Sequence, residues 1–509
     1  VFRTDGGRID PVKTINHHSN PLSVLKKSGR NIPRSSREVK PFRRVYVSRS
    51  ASYLRPVSIK HTIALGLIVG VLGAAALLPL PLTGADRIVL ALSLISAICW
   101  TLEPLSIELT ALCLLLALPL SGVATFDSTF AAFASPAIWL VFAGMVISQL
   151  ITETRLRGLL SSLIIRRLER SPVFILELSL LGVVLAILIP SAVVRVIIIV
   201  PLLIALVDAL EAKRNSPLSA AIILSVVCAT YYGGTGILTA SVPNLVIMGV
   251  LESRERPVFW AEWAGYLFPV IGLLRVLVGA LIIHLIFRPV VPKSIQMTPN
   301  PTELGSREIR ALIILVAGVA AWSTDSLHHV HPVLIGLGLT IVCVAPRIGP
   351  LSVDSLKKVN FPLLIYIGSV FALGRAAVTA GTSGRLAETL TAWLSLGDYQ
   401  TFGQLATITY VVTPFNFLVD TAVVGGVLTP PLLDLGAASG LTPLQVGLSV
   451  AVATGMVFIP YQGAPFMVAY AYGYVSMRQF VTTMMLICVV NLVILVPLNL
   501  LYWDWVGLF

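Results

Sequence analysis

Charged side chains are scarce in this chain: Asp, Glu, Lys and Arg make up 12% of its 509 residues, about half the share of a soluble domain. That scarcity, with 56% apolar residues and a mean hydropathy of +0.90, excludes water as the main solvent. In a bilayer every backbone polar group needs an internal partner, and about 20 apolar residues cross the hydrocarbon core. The chain therefore reads as an all-α polytopic membrane protein, with about 11 transmembrane helices rather than a set of soluble domains. Cysteine is sparse as well. Cys99, Cys113, Cys228, Cys343 and Cys488 stand singly in apolar segments without C-x-x-C spacing, which excludes a thiolate metal cluster or redox pair and leaves small hydrophobes. H-E-x-x-H, a nucleophile elbow and a Walker motif are all lacking, so nothing supports an enzyme, and no covalent cofactor is expected. His328-His329-Val330-His331 has metal-ligating side chains, but a solvated cluster in a short external loop is the plainer reading.

Much of the net charge of +12 lies before residue 61, where basic residues from Arg3 to Lys60 face only Asp5, Asp10 and Glu38. A charge excess confined to a Ser/Arg/Pro-containing stretch points to anionic headgroups, not to nucleic acid. Residues 1–60 read as a basic, disordered cytoplasmic tail, a composition shared with organelle transit peptides. Because the chain opens on Val1 rather than Met, this stretch is read as part of a fragment, a processed form or a mistranslated start, and no function is placed in it.

Apolar runs then recur at 61–82, 87–102, 106–123, 134–152, 217–232, 264–287, 309–323, 332–346, 361–380, 444–458 and 480–503. They organise the chain into a first transmembrane helix (61–86), one repeat (87–288), a cytoplasmic linker (289–308) and a second repeat (309–509). Residues 173–210 and 402–438 are apolar but broken, at Ile189-Pro190-Ser191 and from Thr413-Pro414 to Asp420, and each reads as a re-entrant hairpin lining a cavity. Residues 155–170 and 383–396, one before each hairpin, read as interfacial amphipathic helices. Loops on the side of the tail carry Arg155 to Arg170, Lys213, Arg214, Arg288, Lys293, Arg307, Arg310, Arg347, Lys357, Lys358 and Arg478. The positive-inside rule then places the N-terminus in the cytoplasm and the C-terminus outside, in what is expected to be a bacterial inner membrane.

The halves repeat. Trp100 and Trp322 are 222 residues apart, Gly144 and Gly368 are 224 apart, Pro201 and Pro430 are 229 apart, and Pro243 and Pro465 are 222 apart, all in the same order. Trp100 ends a run on the inner side and Trp322 on the outer side, so the repeats are inverted. Inverted repeats with discontinuous helices are the pattern of secondary transporters with a midplane site.

The first hairpin turns at Pro190-Ser191-Ala192-Val193-Val194-Arg195, and the half-helix that begins there offers unpaired N–H groups to an anion. Arg195 among valines is costly in lipid, so it faces either a ligand or a structural partner inside the bundle. Asp420 precedes Pro430 by ten residues, as Ser191 precedes Pro201, so Asp420 with Thr421 occupies the second tip. There it can bind a cation, carry a coupling proton or pair with Arg195. Two glycine-rich breaks follow the hairpins. One contains Gly233, Gly234 and Gly236 and ends in Pro243-Asn244, and the other runs from Gly455 to Gly463-Ala464-Pro465. Their freed carbonyls suit Na⁺, with close helix packing as the alternative.

Trp100-Thr101-Leu102-Glu103-Pro104-Leu105 with Thr110-Ala111-Leu112, Ser135-Pro136-Ala137-Ile138-Trp139-Leu140, the Gly-Gly-Thr-Gly loop ending in Pro243-Asn244, and Gly463-Ala464-Pro465 resemble motifs of the divalent anion:sodium symporter family over about residues 61–505. The resemblance implies a homodimer on a scaffold domain, elevator-type movement of a transport domain, and dicarboxylate, citrate or sulfate as the small anionic substrate, with Na⁺ as coupling ion. The tips, the breaks and the resemblance together make Ser191, Arg195, Asp420, Thr421, Pro243, Asn244 and Pro465 the candidate substrate contacts. Ser191, Gly233, Gly234, Gly236, Asp420, Gly463 and Ala464 are the candidate Na⁺ contacts. The chain departs from the family at both tips, where Ser-Asn-Thr is replaced by Ser191-Ala192-Val193 and by Val419-Asp420-Thr421, or Asp420-Thr421-Ala422 in the alternative register. Arg195 can stand in for a lost cation or amide donor, and Asp420 can move the coupling ion from Na⁺ to H⁺. An arsenite-type or Na⁺/H⁺ exchange permease shares this architecture, and a non-transporting sensor is the reading from another class.

Overall fold

A computed structural model describes residues 59–77, 83–102, 104–156, 173–290, 304–394, 396–417 and 420–509. The basic tail up to residue 58, Glu103, most of the first interfacial segment, most of the linker, and Val419 lie outside the described residues.

Among the described residues all regular structure is helical. The chain begins with α1 (Ile59–Leu77), then α2 (Gly84–Leu102), α3 (Ile107–Leu120), α4 (Pro136–Glu153), α5 (Phe174–Leu188), α6 (Ala192–Ala209), α7 (Pro217–Thr235) and α8 (Val242–Ser253). A long α9 (Trp260–Phe287) carries a π-helical turn at Phe268–Leu274. The same order returns in α10 (Ser306–Ser323), α11 (Pro332–Val344), α12 (Phe361–Thr379), α13 (Thr382–Leu394), α14 (Thr401–Val412), α15 (Thr421–Ala438), α16 (Pro443–Thr454) and α17 (Ala464–Ala471). It closes with α18 (Met477–Trp505), which has its own π turn at Asn491–Leu495. Eight of these helices are long and apolar enough to cross a membrane. Two of the eight, α6 and α15, fall in the segments expected as hairpins, while α3, α11 and α16 are shorter.

Local signals set the helix ends alike in both halves. Ser216 accepts from Ser219 N and is followed by Pro217 at the start of α7, and Thr442 with Gln445 forms a capping box before Pro443 at the start of α16. A hydroxyl cap followed by proline satisfies orphan N–H groups and spares one. The two tryptophans play equal parts: Trp100 Nε1 donates to Ile107 O (3.3 Å) at the start of α3, and Trp322 Nε1 to Pro332 O (3.0 Å) at the start of α11. Asp325, fully buried, accepts from Trp260 N and Ala261 N and so caps α9 across the halves.

Packing is reciprocal. The second helix of each half lies on the third of the other, α3 on α12 and α11 on α4, and each post-break helix lies on the opposite broken pair, α8 on α15 and α17 on α6. At the centre stands α7, whose membrane-length window is entirely buried. It meets α5 at Gly182, where a Cβ would lie 2.8 Å from Ala229 Cβ and 2.9 Å from Val226 O. Close backbone approach through small residues is how helices gain contact energy in lipid. Gly182→Val should therefore cost about 1–3 kcal/mol through overpacking. It should lower the thermal midpoint of the detergent-purified protein, whereas the same change at Gly265, with open space around it, should leave the midpoint unmoved.

Candidate functional site

Both broken pairs and both glycine-rich breaks converge in the middle of the fold. The first pair turns where α5 ends at Leu188 and Ser191 caps α6, its Oγ accepting from Val194 N at 3.4 Å. The second turns where α14 runs into a 3₁₀ segment, Thr413–Phe417, and Asp420 caps α15, Oδ1 accepting from Ala422 N at 2.8 Å. Ser191 and Asp420 thus hold the same place at the N-terminus of the second arm. Asp420 is half-buried and also accepts from the Tyr366 hydroxyl of α12 at 3.1 Å. Thr421 beside it is buried, and one turn on a Cβ at Gly425 would lie 3.7 Å from Pro243 O, at the start of α8 just past the first half's break. The first half's break therefore meets the second half's tip.

The two breaks also touch. Tyr231 and Tyr232 pack with tilted rings against Phe466 of α17 at 4.8 and 5.9 Å between centroids, and Tyr232 Oη donates to Val457 O at 2.6 Å. Gly463 lies against the Tyr231 ring, where a Cβ would be 3.5 Å from Cε2. Ala464 is exposed at the start of α17, and Pro243 and Pro465 are buried there and in α8, near their N-termini.

Arg195 is fully buried one turn into α6. Its Nη1 donates to Ile189 O (2.6 Å), and Nη2 donates to Thr230 O (3.1 Å) and Ala240 O (2.9 Å). Those acceptors belong to the tip and to both sides of the α7 break, so the side chain ties the first broken pair to the break. Among the described residues it forms no ion pair with Asp420 or any other carboxylate, and its Nε has no partner. Gly234 makes room for it, since a Cβ there would meet Arg195 Nη2 at 2.9 Å.

Three residues passed over in the sequence complete the centre. Arg275, 1% exposed in α9 just after the π turn, donates to Tyr232 O (2.8 Å), Gly455 O (3.2 Å) and Thr235 Oγ1, and lies over the Tyr232 ring at 4.8 Å. Asn416, fully buried before the second tip, donates to Ala453 O (2.7 Å) and Met456 O (3.0 Å). Gln462 accepts from Phe458 N and Ile459 N and donates to Asn416 O. Asn244, expected from the sequence, donates to Thr235 O and Ile237 O, both at 3.0 Å.

The outcome for a cation is specific. Gly233 O accepts from Gly236 N, Gly234 O from Ile237 N, and Tyr232, Thr235, Ile237 and Ala240 carbonyls from side chains. The glycines lend space more than free oxygens: Gly236 would clash with Phe268 Cα at 2.8 Å if it bore a Cβ. Among the described residues no group of three or more His, Cys, Asp or Glu is placed to hold a metal ion.

Asn244→Ala would leave Thr235 O without its side-chain donor, at about 1–3 kcal/mol, and would leave Ile237 O only the bond from Ala240 N. The thermal midpoint should fall and uptake should drop at least tenfold; Asn244→Asp, which accepts but cannot donate, should fare no better.

Two halves in the same element order, each with a broken pair and a helix break meeting at a charged centre inside an apolar bundle, define a polytopic membrane transporter. The chain belongs to the family described as the sodium:sulfate symporter transmembrane region, whose profile matches residues 59–509. It is 22% identical over 433 residues to an uncharacterized transporter of Haemophilus influenzae, covering 81% of this chain and 91% of that one. A membrane protein of Cupriavidus necator is likewise 22% identical, over 88% of this chain and 94% of its own. The crystal structure of the YdaH transporter of Alcanivorax borkumensis shares the fold with a TM-score of 0.51 at 13% identity, covering 75% of this chain and 88% of that chain.

Proposed function

We propose that this protein is a secondary active transporter of a small anion, either a dicarboxylate, citrate or an inorganic oxyanion such as sulfate, driven by a Na⁺ or H⁺ gradient. The observation that carries this reading is a pair of fully buried guanidiniums, Arg195 and Arg275, that meet no carboxylate among the described residues. The C-terminal ends of α7 and α16 supply about half a negative charge each. That leaves roughly one positive charge over, and a charge buried in a low-dielectric bundle must find its complement.

Asp420 supplies that complement when ionised, with Tyr231 in electrostatic range of Asp420, Arg195 and Arg275. Protonation of Asp420 removes it, and an incoming anion takes over the role, which couples anion to proton. A positive centre also disfavours the rival Na⁺/H⁺ exchanger, which needs a site of net negative charge. Elevator movement, a homodimer and a cytoplasmic N-terminus in a bacterial inner membrane belong to this proposal. The test is uptake of labelled succinate, citrate and sulfate into proteoliposomes under imposed gradients; cation exchange without anion uptake contradicts it.

A further inference from the structure

A coupling Na⁺ is ordinarily seated on carbonyls that a helix break frees, at the negative ends of half-helices. Two such ends, those of α7 and α16, face one another here, and Arg275 already joins them. Its guanidinium donates to Tyr232 O in the last turn of α7, to Thr235 Oγ1 at that helix's end, and to Gly455 O just past the end of α16. We propose that Arg275 is the fixed cation of this centre, standing in for a bound Na⁺, so that transport proceeds without Na⁺ at the helix breaks. The inference rests on the transport reading above and names its coupling ion.

Charge and position agree. Two half-charges at the helix ends amount to about one negative charge, which one guanidinium balances. A second cation some 4 Å away, at an effective dielectric near 20, would bind about a thousandfold more weakly than without the arginine. Seven other carbonyls at the two breaks, those of Thr230, Thr235, Ile237, Ala240, Ala453, Met456 and Val457, are engaged by Arg195, Asn244, Asn416 and the Tyr232 hydroxyl. The π turn Phe268–Leu274 ends directly before Arg275, and an extra residue in a helical turn is a local device for re-aiming the side chain that follows. In the second half the π turn begins at Asn491, fully buried, whose Nδ2 donates to Met456 Sδ at 2.6 Å. Both long terminal helices thus use a π turn to place one polar side chain on the α16 break, and only the first brings a charge.

The test compares the intact protein in proteoliposomes with Na⁺ or choline as the sole monovalent cation on both sides, under the same pH gradient. Uptake of succinate, citrate or sulfate should agree within twofold between the two. Arg275→Gln, which keeps donors and loses the charge, should lose uptake in choline by tenfold or more and regain at least part of it with added Na⁺. A tenfold fall of wild-type uptake in choline would overturn the proposal while leaving the transport reading intact. If no anion is taken up in any medium, the transport reading fails, and the thermal midpoint of the wild-type protein in detergent still decides the question. Equal midpoints in NaCl and choline chloride support the fixed cation, and a Na⁺-specific rise of several degrees overturns it. The same midpoint shows whether Arg275→Gln folds, and a variant that gains Na⁺-specific stabilisation absent from the wild type supports the proposal without any transport assay.

Discussion

Arg195→Lys should retain a folded protein and lose uptake by roughly ten- to a hundredfold, whereas Arg195→Ala should fail to give a stable protein at all. The guanidinium serves Ile189 O, Thr230 O and Ala240 O together, and those acceptors lie on three different segments. Truncation to alanine strands Ile189 O and Ala240 O at about 1–3 kcal/mol each and takes a second donor from Thr230 O inside α7, a loss that is a large part of the stability of a domain. Lysine keeps the charge but is a single point donor without the planar fork, so it can hold one or two of the three. Size-exclusion behaviour and the thermal midpoint separate the two variants, and uptake by the lysine variant measures how far fixing the first broken pair against the break matters for transport. Wild-type uptake in Arg195→Ala would show the arginine to be dispensable for both.

Asp420→Asn should abolish accumulation driven by a pH gradient while counterflow of anion against anion continues. Asparagine caps a helix about as well as aspartate and still accepts from the Tyr366 hydroxyl, so the tip of α15 should stay in place. The carboxylate's ability to gain and lose a proton is the one property removed. Accumulation should fall at least tenfold. Asp420→Ala, which also loses the cap, should add a stability loss of about 1 kcal/mol. If Asp420→Asn still accumulates anion on a pH gradient, the coupling proton is carried elsewhere.

Much of this architecture can be read from the residues because lipid permits few alternatives. The run expected at 217–232 is helix 217–235, that at 361–380 is helix 361–379, and the breaks fall where Pro190-Ser191 and Pro414 foretold them. Arg195 announced itself as a lone charge among valines. Arg275 gave the same signal between Leu274 and Val276, yet it sat inside a run read as an ordinary span, and the π turn that aims it inward leaves no mark on hydropathy. Tyr366, Asn416 and Gln462 escaped for another reason. Each matters through a partner 40 to 54 residues away, Asp420, Met456 and Asn416 respectively, and such pairings follow from the reciprocal packing of the halves, not from local pattern. Gly236 and Gly455 end α7 and α16 as their runs suggested, while Gly233 and Gly234 stay inside α7, and whether such glycines free carbonyls or admit side chains depends on what lies opposite. At Gly234 it is Arg195.

The most direct test of the central claim is accumulation of labelled succinate, citrate or sulfate in proteoliposomes under an inwardly directed pH gradient, with and without a protonophore. The expected result is that at least one of these anions rises above its external concentration and falls back when the gradient is collapsed. Failure of all three to accumulate, with labelled anion still bound or with Na⁺ exchanged for H⁺ instead, would contradict gradient-driven anion transport and make the chain a sensor or an exchanger.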